Sequence, residues 1–120
     1  MWLVGKLTIH VCKMSGDDLQ NLIELAYDLN GKHITVVESI SRSRDVGKHD
    51  RHFATHTRFS FTVENVFVAF SGAQLSFMGE GVRYGISLDS VVSFQANGRE
   101  LEIVEHFEQK TERQTHITAR

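Results

Sequence analysis

The feature that most constrains this chain is alternation. Leu3, Leu7, Ile9 and Val11 share one parity, and Lys6, Thr8 and His10 the other. Phe59, Phe61 and Val63 alternate with Arg58, Ser60 and Thr62; Val82, Tyr84, Ile86 and Leu88 alternate with Arg83, Gly85 and Ser87. Leu101, Ile103 and Phe107 do the same against Glu100, Glu102 and His106. A period of two is the signature of a strand with one buried face. The chain contains no proline, so its turns must rest on Gly, Asn, Asp and Ser.

Further stretches extend the strand series. H-I-T-V-V-E-S-I, from His33 to Ile40, is rich in β-branched residues, which pack well on a pleated surface. Val66 to Phe70, the A-Q-L-S-F-M that follows Gly72, and the V-V-S-F-Q that follows Asp89-Ser90 complete the set. Gly79-Glu80-Gly81 predicts a turn, and Asn97-Gly98 predicts a type I′ turn between two tightly paired strands. Residues 108–120 are polar, with Ile117 the only large aliphatic, and are expected as a tail that forms a weak edge strand, a short helix or no regular structure.

Only Ser15 to Asn30 breaks the period. Leu19, Leu22, Ile23, Ala26 and Leu29 form a stripe at helical spacing. Ser15 is placed to cap the helix, Asp17 and Asp18 favour its positive end, and Gly31 is a natural stop. The expected fold is therefore α+β: one N-terminal helix on a mainly antiparallel sheet. A single helix cannot cover both faces of so much sheet, so a strongly curled sheet or partial β-barrel is expected. Residues 1–107 are read as one domain.

The single cysteine, Cys12, excludes an intramolecular disulfide and favours a reducing compartment. No basic-then-apolar leader and no run long enough to span a bilayer is seen, so a cytoplasmic location is expected. Net charge is −2 and the sequence pI about 6.4.

Charge is segregated. Ser41 to Arg58 (S-R-S-R-D-V-G-K-H-D-R-H-F-A-T-H-T-R) holds five of the thirteen Lys and Arg but only two acids, a formal +3 against −5 for the remainder. It reads as a connection of roughly fifteen residues, a length that marks functional or disordered loops. Arg42, Arg44, Lys48, Arg51, His52 and Arg58 are its candidate partner-binding residues. Clustered cations dock an acidic protein surface or neutralise phosphates, and Phe53 or Phe59 would stack on bases if exposed. His49, His52 and His56 are candidate zinc ligands. On a helix their spacing would bring them together, but Gly47 and the polar surroundings argue for loop, where three solvated histidines are the simpler reading.

Other candidates weigh less. Glu100, Glu102, Glu105 and Glu108 form an acidic strand; alternation puts Glu100 and Glu102 outward, where charges keep an edge strand soluble, with contact to the basic segment of a second copy as an alternative. Cys12, beside Lys13, reads as a small buried residue rather than a reactive thiol. Trp2 is either an anchor against the sheet or an exposed contact. No nucleophile elbow, phosphate loop or dinucleotide fingerprint is present.

Within residues 72–107, Leu75-Ser76-Phe77, Ile86-Ser87-Leu88, Asp89-Ser90-Val91 and Leu101-Glu102-Ile103 resemble the strand series of bacterial GRAM-like and pleckstrin-homology-like domains. That resemblance covers about a third of the chain and implies a binding scaffold without catalysis. The early helix, and the lack of an amphipathic helix at the C-terminus, depart from it.

The expectation is a small, non-enzymatic interaction module, of the adaptor, inhibitor or immunity type, that binds a macromolecular partner, foremost a protein. It is expected to self-associate as a homodimer or higher oligomer and to need no cofactor. Nucleic-acid binding through 42–58 is the alternative, and a metal-dependent hydrolase built on the three histidines a third.

Overall fold

The computed structural model describes residues 7–10, 14–46, 49–69, 71–108 and 110–120, with the backbone alone for 7–10, 43–46 and 49–54. Helix α1 (Gly16–Tyr27) starts where its cap predicts, with the Ser15 hydroxyl accepting the Asp18 N–H at 3.2 Å. Leu22, Ala26 and Leu29 are fully buried, Leu19 and Ile23 pack beside them, and Leu25 widens the stripe. Gly31 takes φ +83° and donates its N–H to the Val63 carbonyl at 2.8 Å, which fixes the helix exit to the chain just past β3.

The described strands are β1 (Leu7–His10), β2 (His33–Val46), β3 (His49–Thr62), β4 (Asn65–Ala69), β5 (Gln74–Gly79), β6 (Val82–Ser87), β7 (Val91–Asn97), β8 (Glu100–Phe107) and β9 (Thr111–Ala119). They form a six-stranded sheet, order β1-β7-β8-β9-β2-β3, and a three-stranded sheet, order β4-β5-β6, antiparallel throughout. The α+β expectation holds. The strongly curled sheet or partial barrel does not, because neither sheet closes: β1 and β3 end one, β4 and β6 the other. A lone helix is indeed too little cover, and the second sheet supplies the rest. Phe94, Leu101, Ile103, Ile117, Val36 and Phe61 of the large sheet join Leu75, Phe77, Tyr84 and Ile86 of the small one, and Leu22 of α1, in one buried cluster.

Asn97 pairs with Glu100, so the loop is Gly98-Arg99, and there only Gly98 has positive φ, +60°. That is the pattern of a type II′ turn, with glycine at its first central position, rather than the type I′ turn expected of Asn-Gly. At the end of β5, a Cβ on Gly79 would collide with the Thr62 carbonyl oxygen. Glycine is what lets the small sheet start against the end of β3.

The expected polar tail is a second correction. Residues 111–119 form β9, an interior strand between β8 and β2, with Thr115, Ile117 and Ala119 buried.

Candidate functional site

The basic segment is not a loop. β2 runs to Val46 and β3 starts at His49, and the two pair without a register break from His33↔Thr62 to Val46↔His49. β9 pairs with β2 only as far as Arg42↔Thr111. The last four pairs, Ser43↔His52 to Val46↔His49, therefore stand beyond the sheet as a two-stranded ribbon. Among the described residues β2 is the only strand that pairs with β3, whose 14 residues have no second strand partner there. No proline, and no bulge against β2, interrupts that strand.

The sequence-predicted residues distribute along this hairpin. Arg42 and Arg58 have exposed side chains, at register positions opposite Phe53 and Val37. Arg44 and Arg51 are register partners, and Asp45 and Asp50 are the next pair. The side chains of Arg44, His49, Arg51 and His52 lie outside the described residues, as do Lys48, Cys12 and Trp2 entirely. His56 is exposed, its Nδ1 2.8 Å from the Ser39 hydroxyl.

A strand rises about 3.3 Å per residue, so along β3 His49 and His52 are about 10 Å apart, and His52 and His56 about 13 Å. Zinc–nitrogen bonds of about 2 Å cannot be made by all three from one strand. The fourfold acidic reading also changes. β8 lies between β7 and β9 rather than at an edge. Glu100 and Glu102 do face outward, half-exposed, with the His116 ring nitrogens at 3.4 and 3.5 Å. Glu105 does not.

Glu105 is fully buried and is the residue that sequence reasoning missed. Its Oε1 accepts the Arg113 Nε–H at 2.7 Å; its Oε2 accepts from Arg113 Nη2 at 2.8 Å and from the Ser87 backbone N–H at 2.9 Å. Arg113 Nη2 also donates to the Gly85 carbonyl at 2.7 Å. Gly85 and Ser87 lie on β6, the edge of the small sheet. In an antiparallel strand, residues two apart point their N–H and C=O groups to the same side. The Arg113–Glu105 pair thus supplies the donor and the acceptor that a neighbouring strand would otherwise supply. It splices the open edge of the small sheet onto the face of the large one.

Further bonds extend the splice. The Tyr84 hydroxyl donates to Glu38 Oε2 at 3.0 Å and lies 2.7 Å from Thr115 Oγ1. Burial, opposed by the Thr115 hydrogen bond and the Arg113 charge, holds the Tyr84 proton well above the usual phenol range. Burial works against the Arg113 charge, but the hydrogen bonds and charge of Glu105 outweigh it, with Tyr84 and Glu38 adding, and raise its pKa. The guanidinium also sits 5.4 Å from the Tyr84 ring centroid and 5.7 Å from that of Phe107.

An open depression of about 400 Å³ lies over this network, lined by Ala73, Gln74, Gly85, Ser87, Phe107 and Arg113. Among the described residues that line it, the one cation, Arg113, is already engaged by Glu105 and Glu38, so its chemistry is that of a joint between sheets. Among the described residues, no group of three or more His, Cys, Asp or Glu is arranged to hold a metal ion, and no helix is long and apolar enough to cross a membrane. Comparison with protein-family models, with curated proteins and with solved structures finds no match.

Proposed function

We propose that this protein is a non-enzymatic interaction module that docks a protein partner through the β2–β3 hairpin. The observation that carries the reading is the hairpin itself: it outruns its sheet by four residue pairs, and β3 meets no other strand among the described residues. An open edge offers a row of main-chain donors and acceptors to an added strand, and the flanking side chains select the partner. Arg42, Arg44, Lys48, Arg51, His52 and Arg58 give that selection a preference for acidic surfaces. The resemblance of residues 72–107 to GRAM-like and pleckstrin-homology-like domains supports the same scaffold role. A cytoplasmic location belongs to the proposal and rests on the lone cysteine.

A second reading has its own observation. A two-stranded antiparallel ribbon fits a DNA major groove, and its Arg and Lys residues suit phosphates. The overall charge of −2 weighs against it.

Retention tests separate the two. The protein and its Arg42→Ala/Arg44→Ala/Arg51→Ala variant are passed over immobilised duplex DNA and over an immobilised acidic protein at increasing salt. The proposal expects the acidic protein to retain the wild type and release the variant early, with DNA holding neither at about 0.15 M salt. Retention on DNA alone, with a steep salt slope, would overturn it in favour of the second reading. Equal behaviour of wild type and variant on the acidic protein would remove the role given to the ribbon.

A further inference from the structure

The geometry points to a second copy of this chain as the partner of the β3 edge, paired antiparallel about a two-fold axis at Ala54. This rests on the reading of β3 as the docking strand.

The argument begins with how edges are managed. Natural sheets blunt an open edge with proline, bulges, shortness, charged side chains or covering segments. β3 has the first three of these absent: no proline, no bulge against β2, and a length of 14 residues. An edge left in this state is a template for another strand.

Symmetry then restricts the register. If β3 pairs antiparallel with β3 of a second copy, each residue faces one whose number completes a constant sum. An even sum keeps the outward face of both copies on one side, so the two small sheets also share a side. Charge selects among the even sums. Along β3 the charged residues other than histidine are Asp50, Arg51 and Arg58. Only the register centred on Ala54 puts the acid opposite a base, Asp50 against Arg58 of the second copy, and symmetry makes that contact twice. A slip of one residue makes the sum odd and turns the outward faces of the two copies to opposite sides, which disfavours the slipped state.

The same register accounts for the ribbon. His49, Asp50, Arg51 and His52, which lie beyond the reach of β9, come opposite Phe59, Arg58, Thr57 and His56 of the second copy. Each projecting ribbon gains the second neighbour that its own sheet does not give it. Heterologous contacts can propagate into filaments, but an isologous pairing of this kind closes at two copies.

Two substitutions read the register directly. Directly opposed antiparallel residues have Cα atoms about 4.5–5.5 Å apart, within disulfide range. Ala54→Cys is therefore expected to form a covalent dimer on mild oxidation. Thr57→Cys should not, because the two copies of Thr57 would be six register steps apart, about 20 Å. The wild type, which keeps Cys12, controls for that thiol.

Sedimentation equilibrium from low micromolar to millimolar protein should show a dimer. Asp50→Arg alone and Arg58→Asp alone should each weaken it by about tenfold or more, and the double swap should restore it. A wild type that stays monomeric, equal crosslinking at both positions, or a double swap as weak as the single ones would overturn the proposal. The parent reading fails separately. If the monomer still binds an immobilised acidic protein and Arg58→Asp abolishes that binding, docking at β3 stands without the second copy. If no β3 substitution alters either measurement, both fall.

Discussion

The chain ends its two sheets in opposite ways. The β6 edge of the small sheet is occupied by side chains: Arg113 takes the Gly85 carbonyl and Glu105 the Ser87 N–H. The β3 edge of the large sheet, more than twice as long, meets no strand among the described residues. The contrast teaches how differently one chain can finish its two sheets. One edge is closed by a buried ion pair, at the cost of desolvating two charges. The other has no second strand partner among the described residues and lies in a segment of formal charge +3.

Substitutions that reopen the closed edge should be felt most. Arg113→Ala leaves Glu105 buried without its partner, and denaturant titration should record a loss of about 3–5 kcal/mol. Little or no loss would mean that the splice is incidental to the joining of the sheets. Next is Gly79→Ala at another contact between the sheets, where the added methyl meets the Thr62 carbonyl. A cost of about 1–3 kcal/mol is expected from the same titration.

Tyr84→Phe tests the splice through pH. At neutral pH it should cost about 1–2 kcal/mol for the bonds lost to Glu38 and Thr115. Because the folded pKa is raised above the ordinary value of 10.0, unfolded chains ionise first as pH rises. Wild-type stability should therefore be intact below pH 10 and fall above it, with a shallower fall in the Phe variant. A wild type and variant that fall in parallel would show that Tyr84 carries no such linkage. The smallest stability effect belongs to the open edge: Arg58→Ala should stay within about 0.5 kcal/mol of wild type while lowering self-association. If its stability loss approaches that of Arg113→Ala, the two edges do not differ in kind.

The helix was legible because its signals agree: a serine cap, a 3.6-residue stripe and a glycine stop all bound the same segment. β6 and β8 were legible from alternation, since each buries one face against apolar neighbours. The basic hairpin was not, for a physical reason. Past Arg42 its strands leave the sheet, so no core imposes an apolar parity on residues 43–52. β9 hid for a related cause. Its inward positions include Arg113 and Thr115, which meet Glu105, Tyr84 and Glu38 rather than hydrocarbon. A strand facing a polar joint reads as polar throughout.

Glu105 did leave a signal. It shares the parity of Leu101, Ile103 and Phe107, and a carboxylate in the buried register requires a cation across the ladder. Arg113 is its register partner. The asymmetric charge of the hairpin was plain from the start, whereas its shape came only with the strand pairing.

The most direct test of the two-edge account is residue-resolved amide hydrogen exchange across a protein concentration series. The Ser87 amide, held by Glu105, should be protected at every concentration. The β3 amides that point away from β2 should exchange fast in dilute protein. They should become protected, at alternate residues between His49 and Phe59, as concentration rises. Outward β3 amides that are equally protected at all concentrations, or a Ser87 amide that exchanges as fast as they do, would contradict the account.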